Sequence, residues 1–244
     1  MYMVEMAKAG RKPSDLITKE VLMNAIMFDM AVAGSTNAVL HILSYAYELG
    51  IKLTLADFEK YAKEIPCINA VVPSGPYTVV DFHYAGGVMN VMKMLESKLY
   101  TDVPSMYGNT WADMLSRVKA QENKVIHSLE KPLFNEPGLK ILRGNLSPNG
   151  AIVRPTAVYD EVKYMKGKAK VFEGDRPAFE AIMAGEIVPG DIIVIRYEGC
   201  KGAPGMKELM LSIDALIGLG LDKSVGLISD ARFSGFNYGA IIGH

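Results

Sequence analysis

The sequence predicts an α/β protein whose first half is rich in helices and whose second half is rich in strands. Apolar residues recur with helical spacing in residues 19–30 and 36–49. Short runs of β-branched residues, bounded by turn-forming residues, occupy residues 151–153, 169–172 and 192–197. Together, these two patterns are typical of a chain that contains both helices and sheet.

The composition changes between the two halves. A polar stretch after residue 121 leads into a series of prolines and glycines: Pro132, Pro137, Gly138, Gly144, Pro148 and Gly150. A segment of this kind is a suitable interdomain linker, because it forms few regular elements. We therefore expect a first domain in residues 1–130, a linker in residues 131–150 and a second domain in residues 151–244.

Several helix boundaries carry local signals. Thr54 and Asp57 have nearly the spacing and chemistry of a capping box, with Asp in place of Glu or Gln, and they predict a short helix. Further helices are predicted at residues 85–95, 111–120 and 176–184.

The Ser35-Thr36-Asn37 group stands at the start of the helix predicted for residues 36–49. Side-chain oxygens at this position accept hydrogen bonds from the first free backbone N–H groups of a helix. The same N–H groups can also hold an anion. The group is therefore either a plain N-cap, which we favour, or an anion site.

A glycine-rich loop and the elements after it carry most of the functional signal. Three glycines mark the loop, at Gly199, Gly202 and Gly205. Without a Cβ atom, glycine lets the backbone pass close to a bound group. The apolar spacing of residues 206–217 predicts a helix with Glu208 in its first turn, near the positive end of the helix dipole. Residues 225–228 predict a buried strand, and Ser234 lies on the loop beyond it, where open α/β sheets place their chemistry.

The composition excludes several classes of function. Hydrophobic residues make up 50% and charged residues 22% of the 244 positions, as in ordinary globular proteins. A net charge of −1 gives no support for nucleic acid or an anionic membrane as a partner. No apolar run approaches the roughly 18–20 residues that span a bilayer, and no hydrophobic signal core is present. Two cysteines without a disulfide pattern favour a reducing cytoplasm.

Known nucleotide-binding loops do not fit the glycine loop. A Walker A loop requires Gly-Lys-Ser/Thr, whereas Gly205 is followed by Met206 and Lys207. The glycine spacing also differs from the dinucleotide fingerprint. ATP and NAD are therefore not expected as ligands.

Two long motifs resemble the dihydroxy-acid and 6-phosphogluconate dehydratase family. The first is IRYEGCKGAPGMKE, which ends at Glu208, and the second is DARFSG, whose Ser234 follows Glu208 by 26 positions. Four further motifs occur in the family's order: AGSTNAVLH at 33–41, PSG at 73–75, DFHYAGG at 81–87 and GNLSPNG at 144–150. The resemblance covers nearly the whole chain from about Leu22 onward.

Members of this family remove water from 2,3-dihydroxy acids to give 2-oxo acids, with an iron-sulfur cluster and a magnesium ion. The resemblance implies that Glu208 is a magnesium ligand and that Ser234 is the catalytic base. It also implies an N-terminal α/β domain, of which the first half is a part, and a β-barrel-like C-terminal domain. As partners we expect a small dihydroxy acid and, in the full-length protein, a second copy in a dimer.

The reaction makes these roles chemically reasonable. Elimination of water removes a weakly acidic proton from C2 while hydroxide leaves C3, so the site needs a base and a Lewis acid. Serine is a poor base unless a nearby cation lowers its pKa. Magnesium prefers oxygen ligands and usually takes one or two protein carboxylates, which fits Glu208.

Each candidate residue also has a plainer interpretation. Without the family motif, Glu208 would be a solvated glutamate and Ser234 a turn residue. Asp230 and Arg232 either pair with each other, which we favour, or contact the substrate carboxylate. Lys201 either binds an anionic substrate or is solvated. The histidines show no metal-ligand spacing and are expected to be structural: His41, His83, His127 and His244.

The cysteines depart from the family pattern. The family binds its cluster through three cysteines, and an aspartate and a modified lysine help to hold magnesium, but these motifs do not occur here. Cys67 and Cys200 cannot supply three ligands. We therefore expect the sequence to be an internal fragment of a longer enzyme that is inactive when isolated.

Two substrate classes and one non-catalytic function remain open. Tyr197-Glu-Gly and the RFSG run resemble the branched-chain amino-acid dehydratases, whereas Asp230-Ala-Arg and Tyr238-Gly are closer to the sugar-acid dehydratases. We favour substrates like 2,3-dihydroxy-3-methylbutanoate, with aldonic acids as the alternative. Turnover of sugar acids alone would make residues 236–238 the specificity segment. The third hypothesis is a binding module that retains the fold without catalysis.

Overall fold

A computed structural model describes residues 2–107, 109–234 and 237–244. Within these residues the chain divides into two units. The first contains the described residues up to Gly34 and those of Ala38–Gly138, and the second contains Ser35–Asn37 and Leu139–His244. Residues 35–37 thus group with the second unit, although they lie early in the sequence.

The regular secondary-structure elements described in the first half are helices. They are α1 (Tyr2–Lys8), α2 (Lys19–Val32), α3 (Thr36–Glu48), α4 (Leu55–Glu64), α5 (Val79–Tyr84), α6 (Gly87–Met94) and α7 (Trp111–Leu115). Helix α2 packs against α4 and α6. Ile26 and Met30 of α2 and Phe58 of α4 are completely buried and form part of the core of this unit.

The local signals of the first half predict most of these helices. The helices predicted at residues 19–30 and 36–49 are confirmed as α2 and α3. The Thr54–Asp57 capping box is present, since the Thr54 backbone N–H donates to Asp57 Oδ2 at 2.9 Å. The helix predicted for residues 111–120 is too long, because α7 ends at Leu115. Directly beyond it, the backbone N–H groups of Arg117 and Val118 donate to carbonyl oxygens only three residues earlier, so the α-helical ladder is not continued.

The second unit contains all the described strands and two complete α-helices. The strands are β1 (Lys140–Leu142), β2 (Ala151–Val153), β3 (Ala169–Glu173), β4 (Ile192–Arg196), β5 (Glu208–Leu209), β6 (Gly226–Ser229), β7 (Arg232–Phe233) and β8 (Ile241–Ile242). The helices are α8 (Asp175–Met183) and α9 (Leu211–Gly218). Strand β1 lies inside the predicted linker and pairs antiparallel with β2.

Four strands form an open parallel sheet in the order β3-β4-β6-β8. Helices α8 and α9 pack against each other, and α8 also packs against β3 and β4. This arrangement confirms the α/β class. No closed barrel occurs in the described part of the chain, although the family resemblance implies one. Strand β3 lies at an edge of the sheet, with residues alternately exposed and half-buried.

The helix predicted to start near Met206 starts later. Glu208 and Leu209 form β5, and α9 begins at Leu211, so the prediction of Glu208 in a helical first turn is wrong. The Asp175 carboxylate of α8 accepts hydrogen bonds from the backbone N–H groups of Leu211 (3.2 Å) and Ser212 (3.1 Å). A side chain 36 residues away in sequence thus caps α9 and sets its start.

None of the helices in the described ranges combines the length and the apolar character that crossing a lipid bilayer requires.

Candidate functional site

The two candidate site residues are brought together by a short parallel pair of strands. Glu208 of β5 is the register partner of Arg232 of β7, and Leu209 is the partner of Phe233. Leu209 and Phe233 are buried, whereas Glu208 and Arg232 are half-buried. Ser234 directly follows β7 and is also half-buried. Two strands that are distant in sequence therefore place Glu208 close to the segment that carries Ser234.

Asp230 and Arg232 hold the two ends of the glycine loop. The Asp230 carboxylate accepts hydrogen bonds from the backbone N–H groups of Tyr197 and Glu198, both at 3.1 Å. Arg232 Nε donates to the backbone carbonyl oxygen of Met206. The predicted ion pair between Asp230 and Arg232 is therefore wrong, because each side chain is used to fix the backbone of the loop.

The glycines of this loop permit close backbone contacts. A Cβ atom on Gly199 would lie 2.8 Å from the Asp230 carbonyl oxygen, and one on Gly202 would lie 2.7 Å from the Tyr197 carbonyl oxygen. Both distances are shorter than van der Waals contact. The loop is thus folded against its own start and against the end of β6. Only glycine fits at residues 199 and 202, because any Cβ atom there would collide with backbone.

The Glu208 carboxylate has two polar neighbours. Asn37 Nδ2 donates a hydrogen bond to Glu208 Oε1 at 2.6 Å, and Arg232 Nη1 lies 3.6 Å from the same oxygen. The Glu208 side chain is 32% exposed. Within the described residues no group donates a hydrogen bond to Oε2, so this oxygen is the one available to a ligand.

Asn37 is the functional candidate that the sequence interpretation missed. Its backbone N–H is capped by Ser35 Oγ at 3.2 Å, which supports the N-cap interpretation of the Ser35-Thr36-Asn37 group. The Asn37 side chain donates from Nδ2 to Glu208 and, at 3.0 Å, to the Phe233 carbonyl oxygen. The AGSTN motif was a signal for a special role, but it could not identify Glu208 as the partner.

The remaining candidates separate into loop and surface residues. Lys201 is exposed and forms no ion pair in the part of the chain that the structure describes, which agrees with a solvated lysine. Lys207 instead lies 3.2 Å from the buried Glu198 carboxylate. Glu198 in turn accepts a hydrogen bond from the Asp175 backbone N–H at 2.9 Å and so links the loop to α8.

The predicted specificity segment lies partly outside the described residues, since these omit Phe236. Asn237 is buried, and the Tyr238 ring stacks on Tyr159 with ring centroids 6.1 Å apart. Burial, followed by a hydrogen bond to Asp222, raises the pKa of the Tyr159 phenol above its ordinary value. Tyr238 is therefore held in a packed aromatic pair.

The family resemblance implies a magnesium ion and an iron-sulfur cluster, and the residues of this site fit the magnesium ion but not the cluster. Glu208 offers a carboxylate oxygen, Oε2, that has no hydrogen-bond partner among the described residues, and carboxylate oxygens are ligands that Mg²⁺ prefers. An iron-sulfur cluster does not fit, since Cys67 is buried in the first unit and Cys200 is exposed in the second. Among the described positions no group of three or more His, Cys, Asp or Glu side chains could hold a metal ion.

Comparison with known sequences decides the family. The dihydroxy-acid/6-phosphogluconate dehydratase N-terminal domain matches residues 1–114, and the C-terminal domain of the same family matches residues 124–244. The chain belongs to the dihydroxy-acid/6-phosphogluconate dehydratase family. Both motifs that carry Glu208 and Ser234 lie in the part matched by the family's C-terminal domain.

Several members of the family are similar over nearly the whole chain. Dihydroxy-acid dehydratase of Clostridium novyi is 44% identical over 243 residues, covering 99% of this chain and 44% of the relative. Dihydroxy-acid dehydratases of Methanococcus aeolicus and Methanosarcina barkeri are 41% and 43% identical, over 100% and 99% of this chain and 44% of each relative. The chain thus spans less than half the length of these dehydratases.

Proposed function

We propose that this chain is part of a hydro-lyase that converts a 2,3-dihydroxy carboxylic acid to a 2-oxo acid. The observation that carries the proposal is the pairing of β5 with β7, which holds Glu208 next to the strand that leads into Ser234. An oxygen ligand for a cation and a hydroxyl that can act as a base are the two groups that such an elimination needs.

In the proposed reaction, Ser234 removes the proton from C2 of the substrate. The electron pair of the C2–H bond forms a C2–C3 double bond, and the C3 hydroxyl group leaves as water after accepting a proton. The resulting enol takes up a proton at C3 and releases the proton of its C2 hydroxyl group, which gives the 2-oxo acid. Ser234 must act in its deprotonated form, because a neutral hydroxyl is a very weak base.

Glu208 would hold the magnesium ion through the carboxylate oxygen Oε2. When bound, Mg²⁺ supplies a Lewis acid that stabilises the negative charge developing on substrate oxygens. Arg232 adds a positive charge 3.6 Å from Glu208 Oε1 and keeps that oxygen occupied. No step is assigned to an iron-sulfur cluster, because Cys67 and Cys200 do not provide its ligands.

The favoured substrates resemble 2,3-dihydroxy-3-methylbutanoate, as used in branched-chain amino-acid synthesis. The names of the similar dihydroxy-acid dehydratases support this choice over aldonic acids. We also propose a location in the reducing cytoplasm, because Cys67 and Cys200 form no disulfide in the described residues. The proposal further includes a homodimer of the full-length protein.

The test is the Ser234→Ala variant of the full-length protein, purified without oxygen and assayed with Mg²⁺ for 2-oxo acid formation. We expect kcat to fall by about 10²- to 10⁴-fold, the usual effect of removing a general base. The matched control is Ser224→Ala, because Ser224 Oγ donates only to the Leu221 carbonyl oxygen in the turn before β6.

Three outcomes decide between the hypotheses. Turnover of the branched-chain substrate that is lost in Ser234→Ala and kept in Ser224→Ala supports the proposal. Turnover of aldonic acids alone assigns the chain to the sugar-acid dehydratases. A wild-type protein that converts neither class, or that lacks three cluster cysteines, supports the non-catalytic binding module.

A further inference from the structure

The Asn37 side chain joins three parts of the second unit. Asn37 stands at the start of α3, whereas its two acceptors belong to β5 and β7. We propose that Asn37 is a positioning residue, which orients the Glu208 carboxylate toward a divalent cation and couples it to the backbone that carries Ser234. This inference rests on the proposed function, since it assigns a purpose to the same site.

Both N–H bonds of the Asn37 amide are used in this contact. Nδ2 donates to Glu208 Oε1 at 2.6 Å and to the Phe233 carbonyl oxygen at 3.0 Å. An amide nitrogen carries two hydrogen atoms, so this pair of acceptors uses its full donor capacity. The Phe233 carbonyl belongs to the peptide group that leads to Ser234. One nitrogen atom therefore links the candidate metal ligand to the candidate base.

The contacts also select which carboxylate oxygen faces a ligand. Asn37 and Arg232 both approach Glu208 Oε1, the first as a hydrogen-bond donor and the second at 3.6 Å. Oε1 is thus committed to the protein, and Oε2 is left for the cation. Hydrogen bonds of this kind to a ligating carboxylate fix its rotation and tune its affinity for the metal.

A backbone contact alone would not orient Glu208. The β5–β7 ladder fixes the Cα position of Glu208 opposite Arg232 but leaves its side-chain torsions free to rotate. The Asn37 amide removes that freedom, because a hydrogen bond to one oxygen determines where the other oxygen points. Loss of the amide should therefore affect metal binding more than it affects the fold.

Asn69→Ala is the matched control for Asn37→Ala, because it also removes an asparagine amide from a folded region. Its Nδ2 donates to the backbone carbonyl oxygen of Val32 at 3.2 Å, and its Oδ1, like that of Asn37, is buried without a partner among the described residues. No hydrogen bond joins it to a carboxylate among the described residues. Replacement of Asn69 thus removes a comparable structural contact without changing the candidate site.

The experiment compares Asn37→Ala, Asn69→Ala and Glu208→Gln in the full-length protein. The affinity for Mg²⁺ alone is measured by titration calorimetry without substrate, and kcat and KM are measured at saturating Mg²⁺. We expect Asn37→Ala to weaken Mg²⁺ binding about 10- to 100-fold, as for other groups that support a metal ligand. Asn69→Ala should lower the melting temperature without a change in Mg²⁺ affinity.

Wild-type Mg²⁺ affinity in Asn37→Ala, together with weakened binding in Glu208→Gln, overturns this inference alone. Wild-type affinity in Glu208→Gln overturns the metal role of Glu208 and the inference with it. If Asn37→Ala does not fold, Asn37→Leu decides, because leucine has about the shape of asparagine and cannot donate a hydrogen bond to either acceptor. Unchanged Mg²⁺ affinity in that variant also contradicts the inference.

Discussion

Three aspartates of the second unit fix backbone segments with their side chains. Asp175 accepts hydrogen bonds at the start of α9, and Asp230 accepts two at the start of the glycine loop. Asp191 does the same in the turn before β4, where its Oδ2 accepts a hydrogen bond from the Val188 backbone N–H at 3.0 Å. A carboxylate can satisfy backbone donors that no strand or helix reaches, which explains how Asp175 and Asp191 can be buried.

Asp191 leads to a prediction about acid stability. The hydrogen bond from the Val188 backbone and then the contact with Lys170, 3.0 Å away, lower the pKa of the Asp191 carboxyl below its ordinary value. A lowered pKa means that the ionised form stabilises the fold above roughly pH 4 and that this stabilisation is lost as pH falls through the folded-state pKa. Asp191→Asn should therefore reduce the free energy of unfolding at neutral pH.

The measurement is urea denaturation of the wild type and Asp191→Asn from neutral to acid pH. The difference between them should shrink below roughly pH 4, where the wild-type carboxyl also becomes protonated. Asp214→Asn serves as the control, because Asp214 is exposed on α9. A difference that stays constant down to the most acid pH would contradict the role of the ionised carboxylate.

At the level of elements, the sequence pattern within a segment predicted the positions of some helices and strands but not of others. The helix predicted at 176–184 is confirmed as α8, and the runs at 169–172 and 192–197 are confirmed as β3 and β4. These three elements could be predicted because the spacing of their apolar residues and the turn residues that bound them lie within the segment itself. The start of α9 did not follow, because Asp175 sets it from a distance.

The shortest elements were the hardest to predict. Strands β5 and β7 contain two residues each and have no periodicity that a sequence can display. Their pairing depends on contacts between residues 208–209 and 232–233, which only the folded chain brings together. The family motifs identified Glu208 and Ser234 as candidates, whereas the contact with Asn37 and the use of Asp230 and Arg232 required the structure.

The glycine loop yields a prediction about backbone packing. In Gly202→Ala, the new Cβ atom would lie 2.7 Å from the carbonyl oxygen and 2.8 Å from the Cα atom of Tyr197. Backbone atoms cannot rotate away as a side chain can, so we expect a loss of about 1–3 kcal/mol in the free energy of unfolding. Chemical denaturation measures this loss.

Gly218→Ala is the matched control within the same unit. Gly218 is the last residue of α9, and a Cβ atom built on it would have no described atom within 4 Å apart from its chain neighbours and the backbone of its own helix. Alanine favours the helix over glycine, so this variant should be unchanged or more stable by up to about 1 kcal/mol. Equal stability of Gly202→Ala and the wild type would show that the loop has room to relax.

For the molecule as a whole, the two cysteines are too few to ligate an iron-sulfur cluster within the 244 residues. Cys67 is fully buried, with its Sγ directed at the Asn69 carbonyl oxygen at 3.6 Å, whereas Cys200 is exposed in the glycine loop. Iron-sulfur clusters are usually held by four protein ligands, most of them thiolates. The two cysteines lie in different units and do not provide such a set.

The 244-residue chain produced alone should therefore hold no stable cluster after treatment with iron and sulfide under anaerobic conditions. Iron analysis and visible absorption of the desalted protein measure this. The Cys200→Ser variant is the control and should have the same low iron content. Stoichiometric iron in the unmodified chain that is lost in Cys200→Ser would contradict the prediction.

The contact between Asn37 and Glu208 joins residues 171 positions apart. At a synthesis rate of about 5–20 residues per second, the ribosome adds Glu208 roughly 10–30 s after Asn37. During that time α3 can form, but the carboxylate that its first turn holds does not yet exist. A cation site that depends on both residues would therefore form only after Glu208 has been made, and a nascent chain that has already made α3 could not capture a cation at this position.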